Sequence, residues 1–427
     1  MPGDGIHSVT IPGAVAGWAE LYARFGKLPW NVLFEDAIAW ATEGFPVAFG
    51  VAELWNEPAL LKKIPAVLLG NGKPPREGEI FRNPEMARAF RLIANQGPDA
   101  FYKGEIAREI LKTSQSLGGA MTAEDLADFT PEWVEPISID YRGWRIFELP
   151  PNGQGFAALE MLNIMEASSV VPEMHKRIEA MKLAYADLYR HNADPRCCQV
   201  PVAQLLSKEY ARERAEQIDP RRANPNVFAG QPPGSDTTYL TVVDRDGNIA
   251  SWIQSIYAEF ASGITVSGFL LQNRGAGFTL DPAHPNVLAG GKRPFHTIIP
   301  GFMQRGDQHI GFGIMGGPNQ PMAHAQFVSN FVDYGMNIQA AMEAPRFTKR
   351  TTGGNDIWIE SRVPTETLDQ LSERGHEISV RRAYTQEMGR GQAILRDSAT
   401  GINYAASDPR ADGSAIPEPI ITQGVNR

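Results

Sequence analysis

Gly234-Ser235-Asp236-Thr237-Thr238, continuing as Tyr239-Leu240-Thr241-Val242-Val243-Asp244, carries the reading of this chain. Small turn-forming residues run straight into a threonine at the start of a β-branched stretch. One reading is purely structural: a loop, then a strand opener. The other is chemical. A hydroxyl at a strand start, a strained peptide bond before it and a nearby backbone donor would let Thr237 attack the Asp236 carbonyl and cut the chain. The α-amino group so freed, with an ordinary pKa of about 8, would then serve Thr237 as its own base.

Working outward, Arg245-Asp246-Gly247-Asn248 is a hairpin turn joining strands at Thr237–Asp244 and Ile249–Tyr257. The Pro- and Gly-rich stretch from Asn224 to Ser235 is the best internal boundary. Before it the pattern is mainly helical: Val15–Phe25, Trp30–Ala41, Glu85–Asn95, Ile106–Ser116, Gly155–Ala167, Arg177–Arg190 and Glu209–Gln217. Thr122 with Asp125 forms a variant capping box. Strands are expected at Ile137–Tyr141 and Trp144–Leu149, joined by Arg142-Gly143. After the boundary come further strands at Gly268–Asn273, Ile298–Met303 and His309–Ile314, then helices at Pro321–Tyr334 and Ile338–Ala344. A helix-rich half feeding a strand-rich half predicts an α+β fold with sheet layers covered by helices.

The 427 residues suit two or three units, or one large layered domain. A net charge of −9 argues against a nucleic-acid partner bound through a basic surface. No apolar run approaches the roughly 18 residues of a membrane span, so no membrane partner is expected. The opening Met-Pro-Gly-Asp-Gly-Ile-His has no basic stretch before an apolar one, which favours a cytoplasmic location. Cys197 and Cys198 are adjacent and make no disulfide framework. The eight histidines form no H-E-x-x-H or H-x₃-H pattern, so neither a metal nor a cofactor is expected. Gly311-x-Gly313-x-x-Gly316 matches a dinucleotide fingerprint in form, but it sits among hairpin-like strands rather than in a βαβ unit. Met315-Gly316-Gly317 at a helix start offers bare N–H groups to an oxyanion instead. His296, after Lys292-Arg293-Pro294-Phe295, is either a site residue or a structural histidine. No G-x-S-x-G elbow occurs.

Several ordered motifs carry a family resemblance. They are Val9-Thr10-Ile11-Pro12-Gly13 with Gly17, Met121-Thr122-x-x-Asp125-Leu126, Asp140-Tyr141-Arg142-Gly143 and Pro150-Pro151. Thr237 to Ser251, Lys292-Arg293-Pro294, Gly316-Gly317 and Glu343-Ala344-Pro345-Arg346-Phe347 follow. Together they resemble the γ-glutamyltranspeptidases over nearly the whole chain. The resemblance implies a self-processing N-terminal nucleophile hydrolase with a four-layer αββα sandwich of two stacked antiparallel sheets. It implies cleavage between Asp236 and Thr237 into segments 1–236 and 237–427 that stay together as one composite domain. Thr237 would be the nucleophile, with Thr238 beside it. Ser255 would stand where the family has a threonine contacting the nucleophile, and the amides of Gly316 and Gly317 would form the oxyanion hole. The partner would be a small-molecule amide, hydrolysed or used for acyl transfer.

Four positions depart from the γ-glutamyl enzymes. Gly277 stands where they carry an aspartate for the substrate ammonium, Tyr257 where they have an asparagine, and His296 and Thr297 where they have a Ser-Ser pair. Thr279 to Gly291 is shorter than their lid-bearing segment. Tyr257, Arg274, His296 and Thr297, with Thr238, are therefore expected to line a differently built substrate pocket. An oxamate-type amidohydrolase or a cephalosporin-type acylase is the alternative to γ-glutamyl turnover, and an inactive binding relative is the alternative of another class. Arg274 and Arg293 are both candidates for a substrate carboxylate, or for structural ion pairs. The family also has a stretch ahead of Val9, including an arginine for the donor carboxylate. The chain is therefore expected either to be a fragment or to lack those elements.

Overall fold

The computed structural model describes residues 1–69, 72–168, 171, 173–227, 236–349, 351 and 353–417. Gly234, Ser235 and the side chain of Asp236 lie outside the described residues. The strands that matter are β1 (Ile137–Tyr141), β2 (Trp144–Glu148), β3 (Asp236–Val243), β4 (Ile249–Tyr257), β5 (Gly301–Arg305), β6 (Gln308–Met315), β7 (Arg390–Asp397) and β8 (Ile402–Ser407). The helices are α1 (Ala14–Phe25), α2 (Pro84–Gln96), α3 (Glu105–Ser116), α4 (Gly155–Ser168), α5 (Met174–His191), α6 (Lys208–Ala215) and α7 (Gln320–Val332).

Six strands make one antiparallel sheet in the order β8-β7-β6-β5-β2-β1. One face carries α4 and α7, and α5 packs against α4. Helix α4 is buried on all sides from Gly155 to Met165, as a helix apolar all round must be. Its neighbours complete the main core, including Trp144, Phe312 and Phe327. The other face carries the antiparallel β3–β4 hairpin, which packs on β6 and β7. Helix α1 lies over the far side of that hairpin, where Trp18 Nε1 donates to Gln254 Oε1 at 3.3 Å. The order helix, sheet, sheet, helix is the expected four-layer sandwich, with the second sheet reduced to the hairpin. A separate helical core around Val15, Ile93, Phe101, Ile106 and Leu126 holds α1, α2 and α3. A small sheet at Phe347–Thr348, Asp356–Glu360 and Glu377–Arg381 includes one parallel pair.

The stacking of the sheets explains the glycine pattern. A Cβ on Gly313 would stand 2.4 Å from the Tyr239 ring, and one on Gly311 would stand 2.6 Å from Thr241 Oγ1. These glycines let two sheets approach, and a nucleotide loop is not needed to account for them. Their pairing also sets direction. Tyr239 lies over Gly313 and Thr241 over Gly311, so β3 runs back toward the end of β6 that leads into Gly316 and Gly317 as it approaches Thr237.

Some elements differ from expectation. Trp30–Phe34 is a 3-10 turn before a helix at Glu35–Glu43. The strand expected at Ile298–Met303 forms later, at Gly301–Arg305, because Pro300 removes a ladder donor. Gly268–Asn273 reduces to Phe269–Leu270, followed by a 3-10 turn at Arg274–Gly277. Among the described residues no helix is long and apolar enough to cross a membrane.

Candidate active site

The β3–β4 ladder begins with an irregularity. Thr237 pairs with Ser255 and Asp236 with Tyr257, so Ile256 is an extra residue on β4. This bulge holds Tyr257 at φ 84°, a left-handed backbone that costs a non-glycine residue of order 1–3 kcal/mol. The distortion faces the Asp236–Thr237 bond. Thr237 is buried, and its Oγ1 donates to Ser255 Oγ at 3.1 Å. The same oxygen accepts from Tyr257 N at 2.9 Å.

From there a continuous chain of contacts gathers the expected residues. The Arg274 guanidinium lies over the Tyr257 ring, 4.8 Å from its centroid. Arg274 Nη1 donates to Thr297 Oγ1 at 2.7 Å. Gln154 Nε2 donates both to the Thr297 carbonyl at 2.6 Å and to the Gly317 carbonyl at 2.8 Å. Gly316 and Gly317 have φ of 150° and 58°, a turn closed by Asn319 N on the Gly316 carbonyl. Tyr185 of α5 hydrogen-bonds the next carbonyl, that of Pro318. His296 is held by its amide on the Asn152 carbonyl at 3.0 Å.

Two expected site residues stand apart. Thr238 is exposed and faces away from Thr237, as strand alternation requires, so it does not join this chain of contacts. Arg293 pairs with Glu132 at 2.9 Å, the structural alternative for that residue. Gly277 has a packing reason to be glycine: a Cβ there would come within 2.7 Å of the Phe295 carbonyl.

The electrostatics follow from burial. Burial pushes the Arg274 pKa down to about 9, with partial relief from Tyr257. Burial raises the Tyr257 phenol, opposed by the Arg274 charge. Burial, then the charges of Arg274 and Arg293, holds His296 well below the usual imidazole range, so it is neutral at pH 7.

Gln154, Tyr185 and Asn319 were missed by sequence reasoning. Asn319 is buried against Gly316, and neither polar atom of its side chain has a partner. Away from the site, His175, Glu179 and His376 come together, a grouping no expected zinc pattern flagged. His175 and Glu179 lie one turn apart on α5. His175 Nδ1 meets His376 Nε2 at 2.8 Å, and Lys182 already neutralises Glu179 at 2.7 Å. A divalent ion there would have to displace that ammonium.

The γ-glutamyltranspeptidase family model matches residues 1–418. The chain belongs to the γ-glutamyltranspeptidase family. It is 36% identical to the glutathione hydrolase-like YwrD proenzyme of Bacillus subtilis, over 97% of this chain and 82% of that protein. It is 34% identical to the oxamate amidohydrolase proenzyme of Klebsiella pneumoniae, over 96% of this chain and 80% of that one. Among solved structures, the cephalosporin acylase of Bacillus halodurans superposes with a TM-score of 0.88 at 42% identity, covering 97% of this chain and 79% of that chain. The first two are named as proenzymes, and the three names give different substrates.

Proposed function

We propose that this chain is a self-cleaving amide hydrolase in which Thr237 is the nucleophile. The observation that carries the reading is the Thr237–Ser255 hydroxyl pair at a strained bulge, on the strand whose Tyr239 and Thr241 pack over Gly313 and Gly311 of β6. In processing, Thr237 Oγ adds to the Asp236 carbonyl and displaces its own amide nitrogen, giving an ester. Water then hydrolyses the ester, leaving the Asp236 carboxylate and a free Thr237 amine. In turnover, the amine takes the hydroxyl proton as Oγ attacks the substrate carbonyl. The amides of Gly316 and Gly317 stabilise the oxyanion. The proton passes to the leaving amine, and water releases the acyl group from Thr237.

Processing divides the chain into segments of 1–236 and 237–427, about 26 and 21 kDa by share of length. Thr237→Ala is expected to remain one uncleaved chain without amidase activity. Intact mass and N-terminal sequencing read the result. A wild-type fragment beginning Thr-Thr-Tyr-Leu supports the proposal, and activity in Thr237→Ala refutes it.

A further inference from the structure

The strand that leads into the Gly316–Gly317 turn is held at its end by a side chain. Pairing of β5 with β6 stops at Gly301–Phe312, yet β6 runs on to Met315. Past that point Ile314 is buried with no β5 residue opposite it, and a buried N–H needs an acceptor. The Ile314 amide donates to Nε2 of His324 at 3.0 Å. His324 stands on α7, the helix that follows the turn. The bond therefore ties the strand before the turn to the helix after it, ten residues on.

The direction of this bond fixes the state of the ring. An amide N–H only donates, so Nε2 is bare and the ring proton is on Nδ1. Nδ1 meets Glu148 Oε1, at the end of β2, at 2.7 Å and donates to it. His324 and Glu148 are both buried, and the Phe312 ring packs on the imidazole with centroids 5.0 Å apart. A flipped ring, or one with its proton on Nε2, would set one N–H against another. Glu148 excludes both by holding the proton on Nδ1.

Between the two tied ends lie Gly316 and Gly317, at φ of 150° and 58°. Glycine has the widest backbone freedom of any residue, so a turn built on two of them needs restraint from outside. We propose that His324, oriented by Glu148, is a positioning residue that holds the oxyanion turn, and that neither side chain touches substrate. The catalytic consequence rests on the Thr237 reading. The tie itself stands on its hydrogen bonds.

The first measurement needs only the wild type. Nitrogen-15 NMR of the histidine-labelled, full-length protein, with the His324 signals assigned by their loss in His324→Gln, is expected to show Nδ1 protonated and Nε2 bare. A proton on Nε2 overturns the proposal. The second is kcat per cleaved chain with γ-glutamyl- and glutaryl-p-nitroanilide. His324→Leu removes the acceptor and is expected to lower kcat about tenfold or more, with KM changed less than about threefold. His324→Gln, an amide of similar reach, is expected to recover about a third or more of the wild-type kcat. Should His324→Leu fail to fold, Glu148→Met and Glu148→Gln repeat the comparison from the other end of the tie. Full kcat without the acceptor, or a glutamine no better than the apolar residue, makes this an ordinary core pair and sinks the positioning role.

Hydrogen exchange separates the tie from the chemistry. Across residues 312–322, exchange in His324→Leu is expected to be about tenfold faster than in the wild type, and in His324→Gln close to it. That result in a protein that neither cleaves itself nor hydrolyses either anilide keeps the tie and refutes the Thr237 reading alone. Unchanged exchange in His324→Leu refutes the tie.

Discussion

Gln154 offers the sharpest test of how the site is held. Its Nε2 donates to both the Thr297 and Gly317 carbonyls, and the residue has no exposure. Gln154→Met keeps the length and bulk but removes both bonds. The Gly317 carbonyl keeps the Gln320 N–H, so only the Thr297 carbonyl is left unsatisfied, at about 1–3 kcal/mol. Against this, the variant deletes a buried Gln154 Oε1 that has no partner, which returns about 1–3 kcal/mol. The two nearly cancel, so stability changes by no more than about 1–2 kcal/mol. What is lost is the tie to the proposed oxyanion turn at Gly317, one hydrogen bond of about 0.5–1.5 kcal/mol. A drop in kcat of about 2- to 13-fold corresponds to that range. The assay is steady-state kinetics on the processed enzyme, with thermal unfolding in parallel. The expected signature is a fall in kcat with KM changed less than about threefold. A variant that melts earlier but keeps its full kcat refutes the positioning role and leaves Gln154 a stability residue.

Two further outcomes follow from the structure. Gly313→Ala puts a methyl group 2.4 Å from the Tyr239 ring; it should cost about 1–3 kcal/mol and, by shifting β3, slow cleavage at Thr237, read as persistent full-length chain on a gel. Normal cleavage and stability would show that the sheets are not locked there. His376 is pushed down to about 3 by burial, then by the charges of Lys182 and its neighbours. Its folded pKa is thus below the unfolded value of about 6.5, so its contribution is complete above that value and is lost as pH falls toward 3. His376→Gln should make the acid limb of unfolding stability shallower by at most about 1.4 kcal/mol per pH unit, measured by denaturant titration between pH 4 and pH 7; identical slopes refute it.

What was legible in the sequence was what local chemistry controls. The hairpin turn after Asp244 sets β3 and β4 within a residue, and the Thr122–Asp125 capping box forms in both directions. The outward direction of Thr238 was also available, since side chains alternate along a strand once Thr237 faces the sheet. What was not legible depends on contacts between distant residues. Gln154 sits in a run that reads only as a helix breaker, and its partners are 143 and 163 residues away. The glycines at 311 and 313 looked like a phosphate loop because a close approach of backbone to a ligand and of one sheet to another both demand a missing Cβ. Only the Tyr239 and Thr241 side chains above them decide between the two. The state of Arg274 is of the same kind: a sequence gives the charge, and only the fold shows that no acid among the described residues pairs with it.

The bulge at Ile256 acts on both Thr237 and Arg274. One extra residue in β4 lets Tyr257 turn its amide onto Ser255 Oγ, fixing the hydroxyl that Thr237 meets. The same turn directs the Tyr257 ring under Arg274, where it supports the unsatisfied guanidinium edge. With a regular ladder, Ile256 would take the place opposite Asp236, and the alternation of side chains would send the ring to the other face. A single strained φ therefore fixes both the hydroxyl that Thr237 meets and the ring that packs against Arg274. It follows that substitutions relieving the strain at Tyr257, such as glycine, cannot improve one without loosening the other, because the ring and the amide belong to the same residue.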